Sequence, residues 1–373
     1  MHKIKILQFT VASSMGGRTR YILNVWQGIS KERFQFDFVT FSDKNSFPID
    51  FNIEGGTVYY LKNYPEKNRE AFIEEFLEIL ENGYDAIEIH TSYWKDTIVE
   101  ELAKEVGIPR IIIHGHSTGI TQISASNVSE ENTLKKRHEL IKNQLNNNIA
   151  TDFWACSEMC ADWLFRPYIS EERIRIVPNF IDTERFKYDD KKRQIVRKKI
   201  GVTNEVVYGF VGRLEPVKNL MFLINAFSAV SHKNKNTKLV IVGNGSLLHQ
   251  LKQCVQALDI EKKVIFLGNR ADIEWWYQGM DCFLMPSIFE GFPISALEAQ
   301  CSGLKCLLSD RITSDICLSE KVKLIPIESE DSWIREMLKI KNENYNRQYS
   351  EKILIEKGFD ISESIQKLEQ LYR

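Results

Sequence analysis

Along its 373 residues the chain repeats one rhythm: a short apolar run rich in β-branched residues, then a longer stretch with apolar positions at helical spacing. The short runs are Ile4–Phe9, Phe36–Phe41, Val58–Leu61, Ala86–His90, Arg110–His114 and Phe153–Cys156. After position 200 come Val206–Val211, Leu239–Gly243, Val264–Gly268, Cys282–Met285 and Cys306–Ser309. Nearly continuous apolarity over so few residues predicts strands buried on both faces, as in parallel sheets. Between them, Arg20–Ile29, Ala71–Leu80, Thr97–Val106, Leu220–Val230 and Leu247–Leu258 carry the pattern of amphipathic helices. Strand and helix in steady alternation predict an α/β protein with helices covering the sheets. Nothing repeats at a solenoid period.

The length suits two domains. A boundary is expected after Ile176–Asp182, where a polar, charge-rich stretch (183–199) precedes a fresh strand at Val206. The pattern on either side is alike: strand, glycine-containing turn, helix. This predicts an N-terminal Rossmann-like domain of residues 1–186, joined by a C-terminal helix within 355–373, and a second of residues 187–354. Parallel sheets of two such domains would face a central cleft at their carboxyl ends, where ligands bind in open α/β folds.

Composition narrows the function. A formal charge of −2 supplies no global field for nucleic acid, so a basic site must be local. No run is long enough to span a bilayer, and the N-terminus alternates like a strand and not like a signal peptide. Seven cysteines without a CxxC pair read as reduced thiols. The expectation is a soluble, cytoplasmic protein.

Four segments could carry chemistry. Gly16 and Gly17, between strand and helix, allow close backbone approach to an anion at a helix N-terminus; they read equally well as a tight turn. Gly212-Arg213 and Lys218 place a forked donor and a point charge after a strand, a pair suited to a diphosphate or simply two solvated cations. Pro293 marks a helix start flanked by Glu290 and Glu298, which could reach different parts of one ligand. His114-Gly115-His116 ends an apolar strand; a His-x-His pair can bind metal, but no further ligand set accompanies it at ligand spacing. No Asp-x-Asp is present to hold a divalent cation against a nucleotide diphosphate.

Together these residues resemble the family 4 retaining glycosyltransferases, particularly the bacterial capsular and exopolysaccharide enzymes, over nearly the whole chain. Glu290 and Glu298 stand in that family's E-x7-E arrangement within Pro-Ser-x-x-Glu-Gly-Phe-Pro. Val-Gly-Arg at 211–213 with Lys218, Val-Gly-Asn-Gly at 242–245, Phe-Leu-Gly at 266–268 and Val-Pro-Asn at 177–179 follow the family order. The resemblance implies the GT-B fold and a nucleotide diphosphate sugar as donor, with UDP the expected nucleotide. Arg213 and Lys218 would bind the diphosphate and Glu298 the ribose. Glu290 and the backbone of Phe292, Pro293 and Ile294 would hold the sugar, with Asn269 and Arg270 near the base. Gly16 and Gly17 would close on the diphosphate, and His116 matches a strand-end histidine beside donor sugar and acceptor. Phe180 replaces the usual glycine after Val-Pro-Asn, and no glutamate follows the Gly16-Gly17 pair as it often does in the family.

The implied reaction is retaining transfer without a metal ion or other cofactor, to a glycan or a polyprenyl-diphosphate-linked saccharide in cell-surface polysaccharide synthesis. The leaving phosphate would take the acceptor proton. Alternatives are a sugar-nucleotide epimerase and a catalytically degenerate partner subunit. The basic segment Leu134–Lys142 suggests peripheral contact with an anionic inner membrane, or else a solvated helix face.

Overall fold

The short apolar runs become strands in two all-parallel sheets. A computed structural model describes residues 3–12, 16–44, 55–120, 128–341 and 346–373; Met15, beside Gly16, lies outside them. The chain divides into one unit of Met1–Asn179 with Ile361–Arg373 and a second of Phe180–Asp360.

In the first unit the strands are β1 (Ile4–Phe9), β2 (Phe34–Thr40), β3 (Val58–Tyr60), β4 (Ala86–Thr91), β5 (Arg110–Gly115), β6 (Asp152–Ala155) and β7 (Ile174–Ile176), in the spatial order β3-β2-β1-β4-β5-β6-β7. The central strands are buried almost throughout: Ile6, Leu7, Ile87, Ile112, Ile113, Phe153 and Trp154 expose nothing, so helices must cover both faces. The C-terminal helix Ile361–Leu371 belongs to this unit and packs on the helix Gly17–Gly28. Their contact needs a glycine: a Cβ on Gly28 would lie 2.6 Å from Ile365 Cγ1. Glu369 then accepts from Ser30 N at 2.9 Å, fixing the helix in place.

The second unit holds β8 (Val206–Val211), β9 (Thr237–Val242), β10 (Val264–Gly268), β11 (Cys282–Met285), β12 (Lys305–Ser309) and β13 (Val322–Ile325), in the order β10-β9-β8-β11-β12-β13. Its core gathers Tyr208, Phe210, Leu223, Phe227, Ile241 and Trp333 between sheet and helices. One charge cluster is buried with it. Asp281, 2% exposed, accepts from Arg193 at 2.6 Å, Arg197 at 3.0 Å and Val207 N at 2.8 Å, so its charge is answered on both oxygens. All seven cysteines are unpaired thiols.

Candidate functional site

In the second unit the chain runs from β8 outward through β9 and β10, then returns to the other side of β8 as β11. Loops leaving β8 and β11 therefore diverge at their carboxyl ends, the topological switch point where open α/β sheets bind ligands. The β8 loop carries Gly212 and Arg213, then a 3-10 turn over Pro216–Lys218. Asn219, with φ of 54°, turns the chain into the helix Leu220–Lys233. The β11 loop is tied to it, because Ile288 N donates to Val217 O at 2.8 Å. That tie brings Lys218 Nζ into an ion-paired hydrogen bond with the Glu290 carboxylate, each side chain 15% exposed. Lys218 also folds back over the turn, its Cε 3.9 Å from where a Cβ on Gly212 would stand. Arg213 is half-buried and makes no ion pair or hydrogen bond among the described residues.

The glycines of Val-Gly-Asn-Gly have a steric reason. Gly243, with φ of 134°, passes so near the β8 loop that a Cβ would lie 1.9 Å from Gly212 O; at Gly245 it would lie 2.5 Å from Leu214 O. Only glycine lets the β9 loop press against the backbone that presents Arg213. Glu215 completes that junction by accepting from Ser246 N at 3.1 Å.

The helix Ile294–Cys301 starts at Pro293, as the proline suggests. Phe292 and Ile294 turn their side chains into the core, Phe292 stacking on Phe359 at 5.4 Å. Only their backbone is therefore available to a ligand. Glu298 is buried, and its Oε2 accepts from the Tyr277 hydroxyl at 2.7 Å, a partner the sequence pattern did not single out. Beyond Gly268, Asn269 is exposed, while Arg270 is held to Asp272 at 2.7 and 2.8 Å. The Arg270 guanidinium and the Trp276 indole hold the Asp272 carboxyl down at about 2, despite some burial.

In the first unit Gly16 caps the helix Gly17–Gly28 without a side-chain hydrogen bond. A Cβ on Gly17 would meet nothing within 4 Å, and its φ is not positive, so packing of the described residues does not require a glycine there.

His116 sits at the end of a buried polar chain. Gln8 Nε2 donates to Glu88 Oε2 at 2.9 Å, which leaves Gln8 Oε1 to face His90 Nε2 at 2.7 Å. His90 must then carry its proton on Nε2 and accept on Nδ1, from His116 Nε2 at 2.8 Å. The same logic leaves His116 with a lone pair on Nδ1. His114 Nδ1 donates to Glu88 Oε1 at 2.8 Å, and the Tyr372 hydroxyl donates to Glu88 Oε2. His116 Nδ1 and His114 Nε2 are buried and without a hydrogen-bond partner among the described residues.

Burial keeps the His90 and His116 imidazoles neutral, pushing His90 down to about 3 and His116 well below its ordinary value. Burial also opposes ionisation of Glu88, but His90, His114 and Tyr372 outweigh it and hold the carboxyl at about 2. The pairing of His90 with His114 in the β4–β5 register adds a third imidazole to the His114/His116 pair. One nitrogen from each of the three lies within 4.8 Å of the others, close enough to hold a metal ion.

Two family models match the chain one after the other: Glycosyltransferase Family 4 over residues 15–185 and Glycosyl transferases group 1 over residues 192–354. A protein of Bacillus subtilis (strain 168), EpsF, a glycosyltransferase by name, is 26% identical over 99% of this chain and 96% of its own length. The Escherichia coli UDP-Gal:alpha-D-GlcNAc-diphosphoundecaprenol alpha-1,3-galactosyltransferase is 26% identical over 99% and 97%. Among solved structures, Anabaena HepE in complex with UDP and glucose shares the fold with a TM-score of 0.78 at 18% identity, covering 99% of each chain. A glycosyltransferase from Rickettsia africae does so with a TM-score of 0.76 at 16% identity, over 100% and 98%. With two Rossmann-like parallel-sheet units of the GT-B class and both halves matched in order, the chain belongs to family 4 of the glycosyltransferases.

Proposed function

We propose that this transferase moves a sugar from a UDP-sugar, with retention of configuration and without a divalent cation, to a glycan or lipid-linked saccharide in cell-surface polysaccharide synthesis. The observation that carries the donor half is the switch-point loop cluster of the second unit, where Arg213 stands beside a Lys218–Glu290 pair. Two cations of different geometry suit a diphosphate, and both oppose the charge that develops as the nucleotide leaves. Tyr277 aims Glu298 from within the core, so this carboxylate is pre-oriented to accept from a ribose hydroxyl. Backbone N–H groups at the start of the helix Ile294–Cys301 would receive the sugar or phosphate oxygens. The leaving phosphate takes the acceptor proton, so Glu290 positions and stabilises and is not a covalent nucleophile. Gly16, Gly17 and His116 are proposed to serve the same reaction, His116 through its Nδ1, which has no hydrogen-bond partner among the described residues.

The lipid-linked acceptor is supported by the name of the E. coli relative, and the matched families, both transferases, leave the epimerase alternative without support. A panel of sugar nucleotides incubated in EDTA tests the donor reading. Wild type is expected to turn over one UDP-sugar, and the Glu290→Gln, Lys218→Ala double variant to lose that turnover. Activity that disappears in EDTA and returns with Mg²⁺ would overturn metal independence.

No helix among the described residues is long and apolar enough to cross a membrane. On the helix Val128–Lys142, His138 is buried and Lys142 donates inward to Asp162 O at 2.7 Å. The outward basic face thus shrinks to Lys135, Lys136 and Arg137 beside exposed Leu140. Neutralising those three cations is expected to reduce flotation with vesicles containing anionic lipid; unchanged flotation would remove this helix from the proposal.

A further inference from the structure

The hydrogen bonds behind His116 have a direction, and a buried carboxylate sets it. Gln8, Glu88, His90 and His114 come from β1, β4 and β5, which are neighbours in the sheet, and the pairing of Gln8 with Glu88 and of His90 with His114 puts them on one face. Glu88 exposes nothing and takes three donors, from Gln8, His114 and Tyr372. A carboxylate can only accept, so it decides which way each partner is turned. The Gln8 amide, 2% exposed, must give its nitrogen to Glu88 and its oxygen to His90. From there the protons fall into line: Nε2 of His90 and then Nε2 of His116 are donors, and Nδ1 of His116 is left as a lone pair. The Tyr21 ring packs on His114 and His116, centroids 4.9 and 5.2 Å away, and keeps both imidazoles from swinging out of line.

A network that served only the core would end on satisfied atoms. This one ends on His116 Nδ1, buried just beyond the last residue of β5 and without a hydrogen-bond partner among the described residues. Its direction also has a chemical consequence. A lone pair accepts from a hydroxyl and finds nothing to accept from an ionised phosphate oxygen; the reversed chain would present an N–H there and prefer the opposite.

We propose that Gln8 and His90 are positioning residues for sugar transfer: they pass the polarity of the Glu88 carboxylate to His116 and hold its Nδ1 as the acceptor for a substrate hydroxyl. The role in transfer rests on the transferase reading above; the tautomers do not.

The test uses the full chain with isotope-labelled histidine, whose long-range proton–nitrogen NMR correlations distinguish the tautomers of each ring. Wild type is expected to carry the proton on Nε2 in His90 and His116 and on Nδ1 in His114. Gln8→Met keeps the length of the side chain but removes the acceptor facing His90 Nε2. Glu88 Oε1, 4.0 Å from His90 Nδ1, then draws the proton to that side. Both His90 and His116 are expected to change to the Nδ1 tautomer, with kcat falling by about tenfold or more and UDP affinity within about twofold of wild type. Tyr372→Phe also strips one donor from Glu88 but leaves the direction of the chain alone. It should keep the tautomers and stay within about twofold of wild type in kcat. Equal losses in the two variants would mean that the network only holds the core, and would overturn the positioning role. So would an Nδ1 proton on wild-type His116, or a Gln8→Met enzyme as fast as wild type. Wild type with the expected tautomers that turns over no sugar nucleotide would remove the transferase reading, and the positioning role with it, while the directed chain stands.

Discussion

Lys218→Ala is expected to slow transfer from bound donor by about 100- to 1,000-fold, equivalent to about 2.7–4 kcal/mol of transition-state stabilisation. The lysine is held in place by Glu290 and by the turn over Pro216–Lys218, so its charge is fixed before a donor arrives. A pre-set charge costs no reorganisation when the diphosphate begins to leave, and that is the condition under which electrostatic stabilisation is largest. Removal has a second effect: Glu290 loses its lysine partner beside the diphosphate. The Lys218→Ala, Glu290→Gln double variant should therefore lose less than the sum of the single losses, because the two residues form one unit. Single-turnover kinetics with UDP affinity measured in parallel separate this loss from weaker binding. A Lys218→Ala enzyme within tenfold of wild type would remove the lysine from the chemistry.

How far the sequence discloses such a site depends on whether its parts are contiguous. Arg213 with Lys218, and Glu290 with Glu298, are each carried by a single loop and helix start, so spacing alone exposes them. Their partner contacts are tertiary: the Ile288–Val217 hydrogen bond and the Tyr277 hydroxyl behind Glu298 leave no local trace. Still less legible is the chain behind His116, since Gln8, Glu88, His90 and Tyr372 are spread over most of the sequence, Glu88 and Tyr372 being 284 positions apart. A polar residue inside a run such as Ala-Ile-Glu-Ile-His is the one available signal, because a charge in a doubly covered strand requires a buried partner.

The same physics explains which strands are read easily. β1, β4, β5, β8 and β9 lie inside their sheets and are buried over most of their length. β7 (Ile-Arg-Ile) and β13 (Val-Lys-Leu-Ile) are edge strands with one face half exposed, and their short mixed patterns do not stand out from loops. The basic segment at 134–142 is a further case. Its charges suggest an outward face, yet His138 and Lys142 point inward, the first stacked on Trp163 with centroids 4.0 Å apart. Aromatic and carbonyl partners 20 or more residues away decide that orientation.

Stability of the first unit is expected to peak near pH 6.5 and to fall on both sides, for opposite reasons. Burial depresses His90 to about 3, His138 to about 4, and His116 well below its ordinary value. Between those values and about 6.5 the unfolded chain binds protons that the folded unit refuses, so acid favours unfolding. Glu100 acts in the opposite sense. Burial raises it to about 8, so above about 4.5 the folded unit keeps a proton that the unfolded chain releases, and stability falls as pH rises toward 8. Each proton is worth up to about 1.4 kcal/mol per pH unit. Three histidines against one carboxyl therefore leave a net acid loss of about 2–3 kcal/mol per unit between pH 6 and 5, a large part of ordinary domain stability. Hydrogen exchange followed by mass spectrometry resolves β4 and β5 from strands of the second unit and reads this directly. Glu100→Gln, which stays neutral at every pH, should flatten the alkaline limb and leave the acid limb intact, while His138→Gln should make the acid limb shallower. A first unit whose protection is flat from pH 5 to 8 would mean that the buried imidazoles are solvated or charged in solution, and the tautomer chain ending at His116 would fall with them.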